Sequence, residues 1–328
     1  MTAAERALWA RLQRRAAALQ PDLARAVMAS LRRIAAKLPE AQMAAMIADG
    51  ALERTLLTLL SDVALAPELL PVQEALRTGL ARETAAGARA LPAGIRAPVI
   101  GAVFDVLSPR VVEAIRNLET RVMGVLAANV RGAVRAHVEM GLVRGVGPRA
   151  IARGLRAIVP LAPNQVAAIA NFRGYLEAGE FGTALSRALR DKRFDATLRR
   201  MADGGALTPA QVERMASQYA KRMVAFNAET IARTAALDAV KMGQRLAWDD
   251  AVRRGEVDGT RLVKQWVGVM DERERETHRA MEGVTVPFDD PYILPDGEVE
   301  MEPGDGEFNC RCISRVFVAS PADWAQVG

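Results

Sequence analysis

The residues best suited to chemistry lie in the last sixty positions of the chain. His278 sits in the acidic segment DERERETHRAMEG, and Cys310 and Cys312 flank Arg311 in the tetrapeptide that begins at Asn309. The whole chain has two histidines and two cysteines, so three of these four residues fall within one short stretch. Thiolate and imidazole groups are the preferred ligands of zinc in a tetrahedral site. The pattern therefore predicts a structural Zn²⁺ held by His278, Cys310 and Cys312.

A fourth zinc ligand has to come from a carboxylate. We expect Asp271, which precedes the histidine on the same predicted helix, or a residue of the later acidic loop, where the candidates are Glu302, Asp305 and Glu307. The alternative is a hydrogen-bonded histidine beside two reduced thiols, because Cys-x-Cys is less diagnostic than Cys-x-x-Cys. Cysteines one residue apart form no ordinary disulfide, which favours a reducing cytosol as the place of synthesis.

Nucleophilic catalysis is the other chemistry that a cysteine near a histidine suggests. Residues 271–310 hold 13 acidic and 3 basic side chains, and we expect these carboxylates to raise the pKa of a nearby thiol. The sequence therefore assigns no catalytic residue and predicts that the chain is not an enzyme. A metal-dependent hydrolase or nuclease is kept as the alternative, and it would need an open coordination position on the ion.

Charge is distributed unevenly along the chain, whose net charge is +5. Residues 1–200 hold 29 basic and 17 acidic side chains, whereas residues 201–328 hold 15 and 22. Contact with DNA phosphates would therefore belong to the basic half. The candidates are Arg110, Arg121 and Arg135, on one flank of a long predicted helix. The alternative is that these arginines form an ordinary solvated helix face.

The composition predicts the fold class. Alanine, leucine, arginine and valine dominate the upstream segments and aromatic residues are scarce, which is typical of closely packed helices. We predict a mainly α protein with an elongated helical body, long helices and a small C-terminal α+β module. The expected regions are a helical one over 1–145, a second helical one with a long helix over 146–257, and the module over 258–328. No membrane span is predicted, because the most apolar stretch contains Glu68 and two prolines.

Capping residues and prolines predict where the helices begin and end. Thr2 and Glu5 form a capping-box pattern, and Pro21 is expected to end the helix that follows. Ser108-Pro109 and Thr208-Pro209 each combine an N-cap residue with a proline at the first helical position. The predicted helices run from Thr2 to Pro21, from Asp22 to Pro39, from Glu40 to Leu60, from Pro109 to Gly141, and from Pro209 to Gly255 as one helix or a pair.

Beyond Gly259 the pattern changes to short strands around one helix. Apolar residues alternate over Val263–Val269, which predicts a strand. Asp271 is expected to cap a three-turn helix that ends at Gly283. Further strands are predicted over Val284–Val286, Glu298–Met301 and Cys312–Val318.

Several separated motifs in this half of the chain resemble the phage Mu F-like minor head proteins, a family also called phage head morphogenesis proteins. The motifs occur in the family's order over about a third of the chain. They are Ala228–Thr234, Gly243-Gln244, Trp248, Trp266, Asp271-x-Arg273-x-Arg275-x-x-His278, Met281-x-Gly283, Pro295-Asp296-Gly297, Pro303-Gly304-Asp305 and Asn309-Cys310-Arg311-Cys312.

The resemblance implies a minor head (capsid) protein of a tailed phage or prophage-derived particle. Such a protein would be made in the bacterial cytoplasm and incorporated into the virion, near the portal and the packaged DNA. Its expected partners are the portal protein and the major capsid or scaffold protein, with non-specific phosphate contacts to DNA. By motif match, His278, Cys310 and Cys312 are the positions suspected of holding a metal. The remaining alternative is a helical DNA-binding protein.

Overall fold

The computed structural model describes residues 1–92, 109–159, 161–305 and 308–320, without the side chains of Thr55 and Arg110. It is mainly helical, with long helices and a small C-terminal region of antiparallel strands, which confirms the predicted fold class. The helices are α1 (Ala3–Ala36), α2 (Glu40–Ala48), α3 (Leu52–Leu59), α4 (Asp62–Leu65), α5 (Leu70–Ala90), α6 (Pro109–Val143), α7 (Pro148–Ile158), α8 (Pro163–Glu177), α9 (Phe181–Ser186), α10 (Asp195–Ala202), α11 (Pro209–Arg253) and α12 (Glu276–Ala280). The strands are β1 (Leu262–Val267), β2 (Thr285–Pro287), β3 (Tyr292–Ile293), β4 (Val299–Glu300) and β5 (Ile313–Val318).

The chain forms two compact units, each assembled from separate segments. Unit 1 contains residues 1–24, 73–122 and 230–328, and unit 2 contains residues 25–72 and 123–229. The division into three consecutive regions stays a prediction. Within the described residues no single helix is long and apolar enough to span a membrane, although the pair Leu52–Leu59 and Asp62–Ala90, bent by 52°, meets the requirement of length and composition together.

The first helix continues through Pro21, so the predicted break there is wrong. A buried stripe repeats every three or four residues on both sides of the proline, and its members are Leu12, Ala16, Leu19, Leu23, Val27, Leu31 and Ile34. Pro21 and Ala17 are both exposed. Pro21 has no amide hydrogen to donate to the carbonyl of Ala17, but Ala17 is exposed and water can bind that carbonyl. The proline therefore destabilises the helix by less than burial of the apolar stripe stabilises it.

The single helix predicted over residues 40–60 is also wrong, because the chain turns at Gly50. This glycine has a φ of +65°, a left-handed conformation that costs glycine little. The amide of Gly50 donates to the carbonyl of Ile47, and that of Ala51 to the carbonyl of Met46. These two bonds end α2 in a Schellman-type cap, and α3 begins anew at Leu52.

The two long helices are confirmed; the predicted N-cap of α6, Ser108, lies outside the described residues, and α11 is one helix of 45 residues. Its start is a capping box. The amide of Thr208 donates to Oε1 of Gln211 at 2.8 Å, and the amide of Gln211 donates to Oγ1 of Thr208 at 3.3 Å.

The C-terminal strands form a three-stranded antiparallel sheet in the order β2-β1-β5, and β3 pairs with β4 in a separate hairpin. The predicted strands are confirmed, and β3 is an addition that the sequence analysis missed. Register runs from Leu262 opposite Val318 to Val267 opposite Ile313. The central strand β1 is buried on both faces, because Val263 and Lys264 are both fully buried.

The helix before the second strand is much shorter than predicted, since α12 spans only Glu276–Ala280. Met270 adopts a φ of 60°, and the carboxylate of Asp271 accepts a bond from the amide of Arg273. Glu274 accepts bonds from the amides of Val269 and Met270. These acidic side chains satisfy backbone donors in a turn and so compete with helix formation.

Lys264 is a buried cation on the central strand. Its ammonium donates to the carbonyl of Met301 at 2.5 Å and lies 4.9 Å from the ring centroid of Tyr292. Burial disfavours the charged form, and it lowers the pKa of Lys264 from 10.5 to about 8. The charged lysine therefore reduces the stability of the fold at neutral pH.

We expect Lys264→Met to remove a pH dependence of stability. Between the folded pKa of about 8 and the unfolded value of 10.5, the unfolded chain binds more protons, so stability rises with pH. The unfolding free energy of the wild type should therefore gain about 2 kcal/mol relative to the variant between about pH 7.5 and about pH 10. Urea unfolding of both proteins at these pH values measures it. A difference that stays constant with pH would contradict the assignment.

Candidate metal centre

Three predicted ligands meet in the C-terminal module. Nδ1 of His278 lies 3.5 Å from Sγ of Cys310 and 3.9 Å from Sγ of Cys312. The three donor atoms all lie within 4.8 Å of one another, and all three side chains are buried. Both cysteines are free thiols. The structure therefore brings together the set that the sequence singled out.

The spacing of the donors suits zinc. In a tetrahedral site with Zn–S and Zn–N bonds of about 2.3 and 2.1 Å, neighbouring sulfur and nitrogen donors are separated by about 3.6 Å. The two observed distances from the imidazole nitrogen bracket this separation. Two sulfurs and one imidazole also form a donor set that suits zinc, whereas magnesium and calcium prefer oxygen ligands. The cluster can hold a metal ion with little rearrangement.

Short-range contacts place His278. Its helix α12 ends at Ala280, and Gly283 follows in the turn with a φ of +81°, where its amide donates to the carbonyl of Trp266 on β1 at 3.0 Å. The indole of Trp266 packs edge-on against the imidazole, with ring centroids 5.3 Å apart. The histidine is thereby tied to the central strand, and its ring orientation is set by an aromatic wall.

A left-handed residue directs the chain into the two cysteines. Asn309 has a φ of 64°, which asparagine tolerates better than most residues. Its amide donates to Oγ1 of Thr234 at 3.1 Å, and Nη2 of Arg233 donates to its side-chain oxygen at 2.6 Å. Helix α11 therefore holds this turn, and Cys310 follows it directly.

Gly304 makes room for the first sulfur. It has a φ of +82°, and a Cβ at this position would lie 2.5 Å from Cβ and 2.7 Å from Sγ of Cys310. No other residue type leaves Cys310 in place. In the sequence this glycine is marked only by the Pro303-Gly304-Asp305 motif, and its close approach to Cys310 explains why glycine is needed there.

The two thiols have opposite electrostatic character. The adjacent Cys312 side chain lowers the pKa of Cys310, and His278 and the nearby Lys241 ammonium lower it further. The same sulfur pair raises the pKa of Cys312, whose thiol donates to Oε1 of Glu274 at 3.1 Å. The expectation that the surrounding carboxylates raise the pKa of the thiol is therefore wrong for Cys310. Its sulfur faces a cation and an imidazole, and the hydrogen bond between His278 and Cys310 raises the pKa of His278.

Lys241 and Glu300 complete the surroundings of Cys310, and the sequence analysis missed both. The Lys241 ammonium is buried, donates to the carbonyl of Pro303 at 2.6 Å and pairs with Asp238 at 2.9 Å. Glu300 points inward from β4 and accepts a bond from the amide of Gly304. Burial raises the pKa of Glu300. No motif in the sequence marks them, because Lys241 lies within the long helix α11 and Glu300 is one of many acidic residues near the end of the chain.

The structure does not bring Asp271 into the cluster. Its carboxylate accepts two bonds from the guanidinium of Arg311, at 2.7 and 2.5 Å, and this pair lowers the pKa of Asp271 to about 2. Glu302 is bound by Ser314 and Arg245. The described cluster therefore has three protein donors.

The other candidates have different positions. Asp305 accepts a bond from Arg121 at 2.8 Å, and Glu307 lies outside the described residues.

The arginines predicted to contact DNA are partly engaged in ion pairs. Arg121 pairs with Asp238 as well as Asp305, so its guanidinium is bound by two carboxylates inside unit 1. Arg135 forms a bidentate pair with Glu53, and the side chain of Arg110 is not among those described. Contact of these arginines with DNA stays a prediction.

Comparison with known proteins identifies the family. The family model described as Phage Mu protein F like protein matches residues 132–315, which is more than half of the chain. No curated protein and no solved structure matches the chain. The chain belongs to the Phage Mu F-like family, as its motifs predicted, and membership points to phage head morphogenesis. The matched residues contain all three donors of the cluster.

We expect the purified, reduced protein to bind one Zn²⁺ and to lose that binding in Cys310→Ser and His278→Ala. Each substitution removes a third of the protein donors. A zinc concentration a thousandfold above the dissociation constant should stabilise the wild type by about 4 kcal/mol. Elemental analysis and thermal unfolding with and without a chelator measure these effects.

Glu272→Gln is the matched control, because Glu272 is an exposed carboxylate next to Asp271 and should leave zinc binding unchanged. Wild type and Cys310→Ser with equal zinc content would refute the site.

Proposed function

We propose that this protein is a minor head protein of a tailed phage or prophage-derived particle, acting in head morphogenesis beside the portal. The observation that carries the proposal is the family match over residues 132–315. The matched region ends within β5 and includes the whole of α11, so it contains the elements that build the metal cluster. In this role the C-terminal module would be stabilised by the bound metal.

Zinc in this proposal has a structural role. The three donors are buried, and Cys310 and Cys312 belong to the hydrophobic core of the module, together with Trp266 and Tyr292. A structural zinc contributes directly to folding when a small module has a limited core. The ion would be held by His278, Cys310 and Cys312, and it would cross-link α12 to the start of β5.

The proposal predicts that purified particles of the encoding phage or prophage contain this chain at far fewer copies than the major capsid protein. A nonsense mutation early in the chain should leave particles that are defective in DNA content, because head morphogenesis is incomplete. Quantitative mass spectrometry of particles and measurement of packaged DNA test both statements. Expression of the wild-type chain in trans is the control. Full infectious particles without the chain would refute the proposal.

A surface of the module suits a protein partner. The β3–β4 hairpin exposes Ile293 (68% exposed) and Val299 (64% exposed), which lie directly opposite each other across the two strands. Its inward positions are Tyr292 and Glu300, so the apolar pair faces solvent while a carboxylate is buried. The chain carries exposed carboxylates just before β3 and in the loop between the two strands, at Asp289, Asp290, Asp296 and Glu298. An apolar centre with an acidic rim suits a basic partner surface.

We propose that this hairpin contacts the portal protein. The double variant Ile293→Asp, Val299→Asp should weaken binding to the purified portal of the same phage by at least about tenfold, because it buries charge in an apolar contact. The unfolding temperature and zinc content should stay unchanged, since both residues are exposed. Val63→Asp, at another highly exposed apolar residue, is the control. Surface plasmon resonance measures the affinity, and equal affinities would refute this contact surface.

A further inference from the structure

Four residues at the start of the chain, Met1 and three on α1, contact the C-terminal module. Glu5, Trp9 and Gln13 are spaced four residues apart and so form a single row on α1, and Met1, which precedes the helix, continues the same spacing. Met1 contributes its α-ammonium, which lies 3.3 Å from the carboxylate of Glu282. Glu5 lies 3.5 Å from the guanidinium of Arg315. Every member of the row thus has a polar partner near the end of the chain.

The other two members of the row bind the residue between the cysteines. Nε1 of Trp9 donates to the carbonyl oxygen of Arg311 at 3.0 Å, and Nε2 of Gln13 donates to the same oxygen at 3.3 Å. The side chain of Arg311 is held separately, since its guanidinium makes the bidentate bond to Asp271. Arg311 is therefore fixed at its carbonyl and at its side chain.

Fixing this carbonyl sets the relative position of the two sulfurs. The carbonyl of Arg311 belongs to the peptide plane that joins it to Cys312, and that plane is rigid. A change in ψ of Arg311 would turn this plane and move the Cα and Sγ of Cys312 relative to Cys310. Two hydrogen bonds to one oxygen hold the plane in the orientation that leaves both sulfurs next to the imidazole of His278.

We infer that the first four turns of α1 position the metal centre, with Trp9 and Gln13 as the positioning residues. The inference rests on the proposed metal centre and extends it, because residues 1–36 lie outside the region that the family model matches. Metal binding and docking of the N-terminal segment then stabilise each other, since coupling between two sites is reciprocal. Residues that orient metal ligands from outside the coordination sphere act in this way.

The first test is zinc affinity. Trp9→Phe keeps an aromatic ring but removes the indole N–H, and Gln13→Leu removes the amide donor at similar volume. Each should weaken zinc binding by about tenfold, which is the lower range for substitution of such outer partners. Competition with a chromogenic chelator, on the full-length reduced protein, measures the dissociation constant. Arg14→Ala, on the exposed side of the same helix, should leave it unchanged.

The second test needs no metal. In the metal-free protein, loss of either bond should speed alkylation of the two thiols by iodoacetamide at least about fivefold, because local opening exposes buried groups. The unfolding temperature of each metal-free variant shows whether the fold is intact. Equal alkylation rates in wild type and both variants would overturn the inference.

The outcomes separate the inference from the site on which it rests. A wild type that binds zinc no more tightly than either variant overturns the positioning role and leaves the metal centre in place. A wild type that binds no zinc overturns the metal centre, and the alkylation rates then decide the positioning role alone. Zinc that slows hydrogen exchange of residues 3–16 in the wild type, and slows it less in Trp9→Phe, supports the coupling.

Discussion

The C-terminal module depends on the burial of two sulfurs and an imidazole within one small volume. Buried polar groups must find partners, and these three find one another, with Glu274 at one sulfur and the Lys241 ammonium near the other. The surrounding structure follows from that requirement. Gly304 leaves room for Cys310, Asn309 turns the chain into it, and Trp266 forms the wall behind His278. A bound metal would replace several of these hydrogen bonds with stronger coordinate bonds.

Ion pairing inside unit 1 changes the meaning of the uneven charge along the chain. Arg121, from the basic half, pairs with Asp238 and Asp305 of the acidic half. Asp271 holds Arg311, and Glu302 is bound by Arg245 and Ser314. Part of the acidic segment therefore forms ion pairs within unit 1, whereas other carboxylates, including Asp296 and Glu298 on the β3–β4 hairpin, are exposed. Asp238 and Glu302 are buried, so removing the arginine partner of either would be costly because a buried charge would lose that partner.

The motifs that mark the Phage Mu F-like family have structural reasons in this molecule. Arg233 and Thr234 hold the turn at Asn309, and Gly283 ties α12 to Trp266. These motifs are far apart in sequence, yet each contacts the cluster or the segment that leads into it. The contacts of α1 add a part that the family match does not include, so both ends of the chain contribute to one site.

The sequence by itself determined the helical class, the start of α6 at Pro109 and of α11 at Thr208-Pro209, most of the short strands, and the His278, Cys310 and Cys312 set. These features rest on local signals, namely periodicity, capping chemistry and rare residue types. Only the tertiary structure decided that α1 continues through Pro21, that Asp271 binds Arg311, and that Trp9 reaches the carbonyl between the cysteines. The sequence does not distinguish the thirteen carboxylates of residues 271–310 by the partner that each one binds. Which cation each one meets depends on packing between segments distant in the chain, and sequence spacing carries no record of that packing.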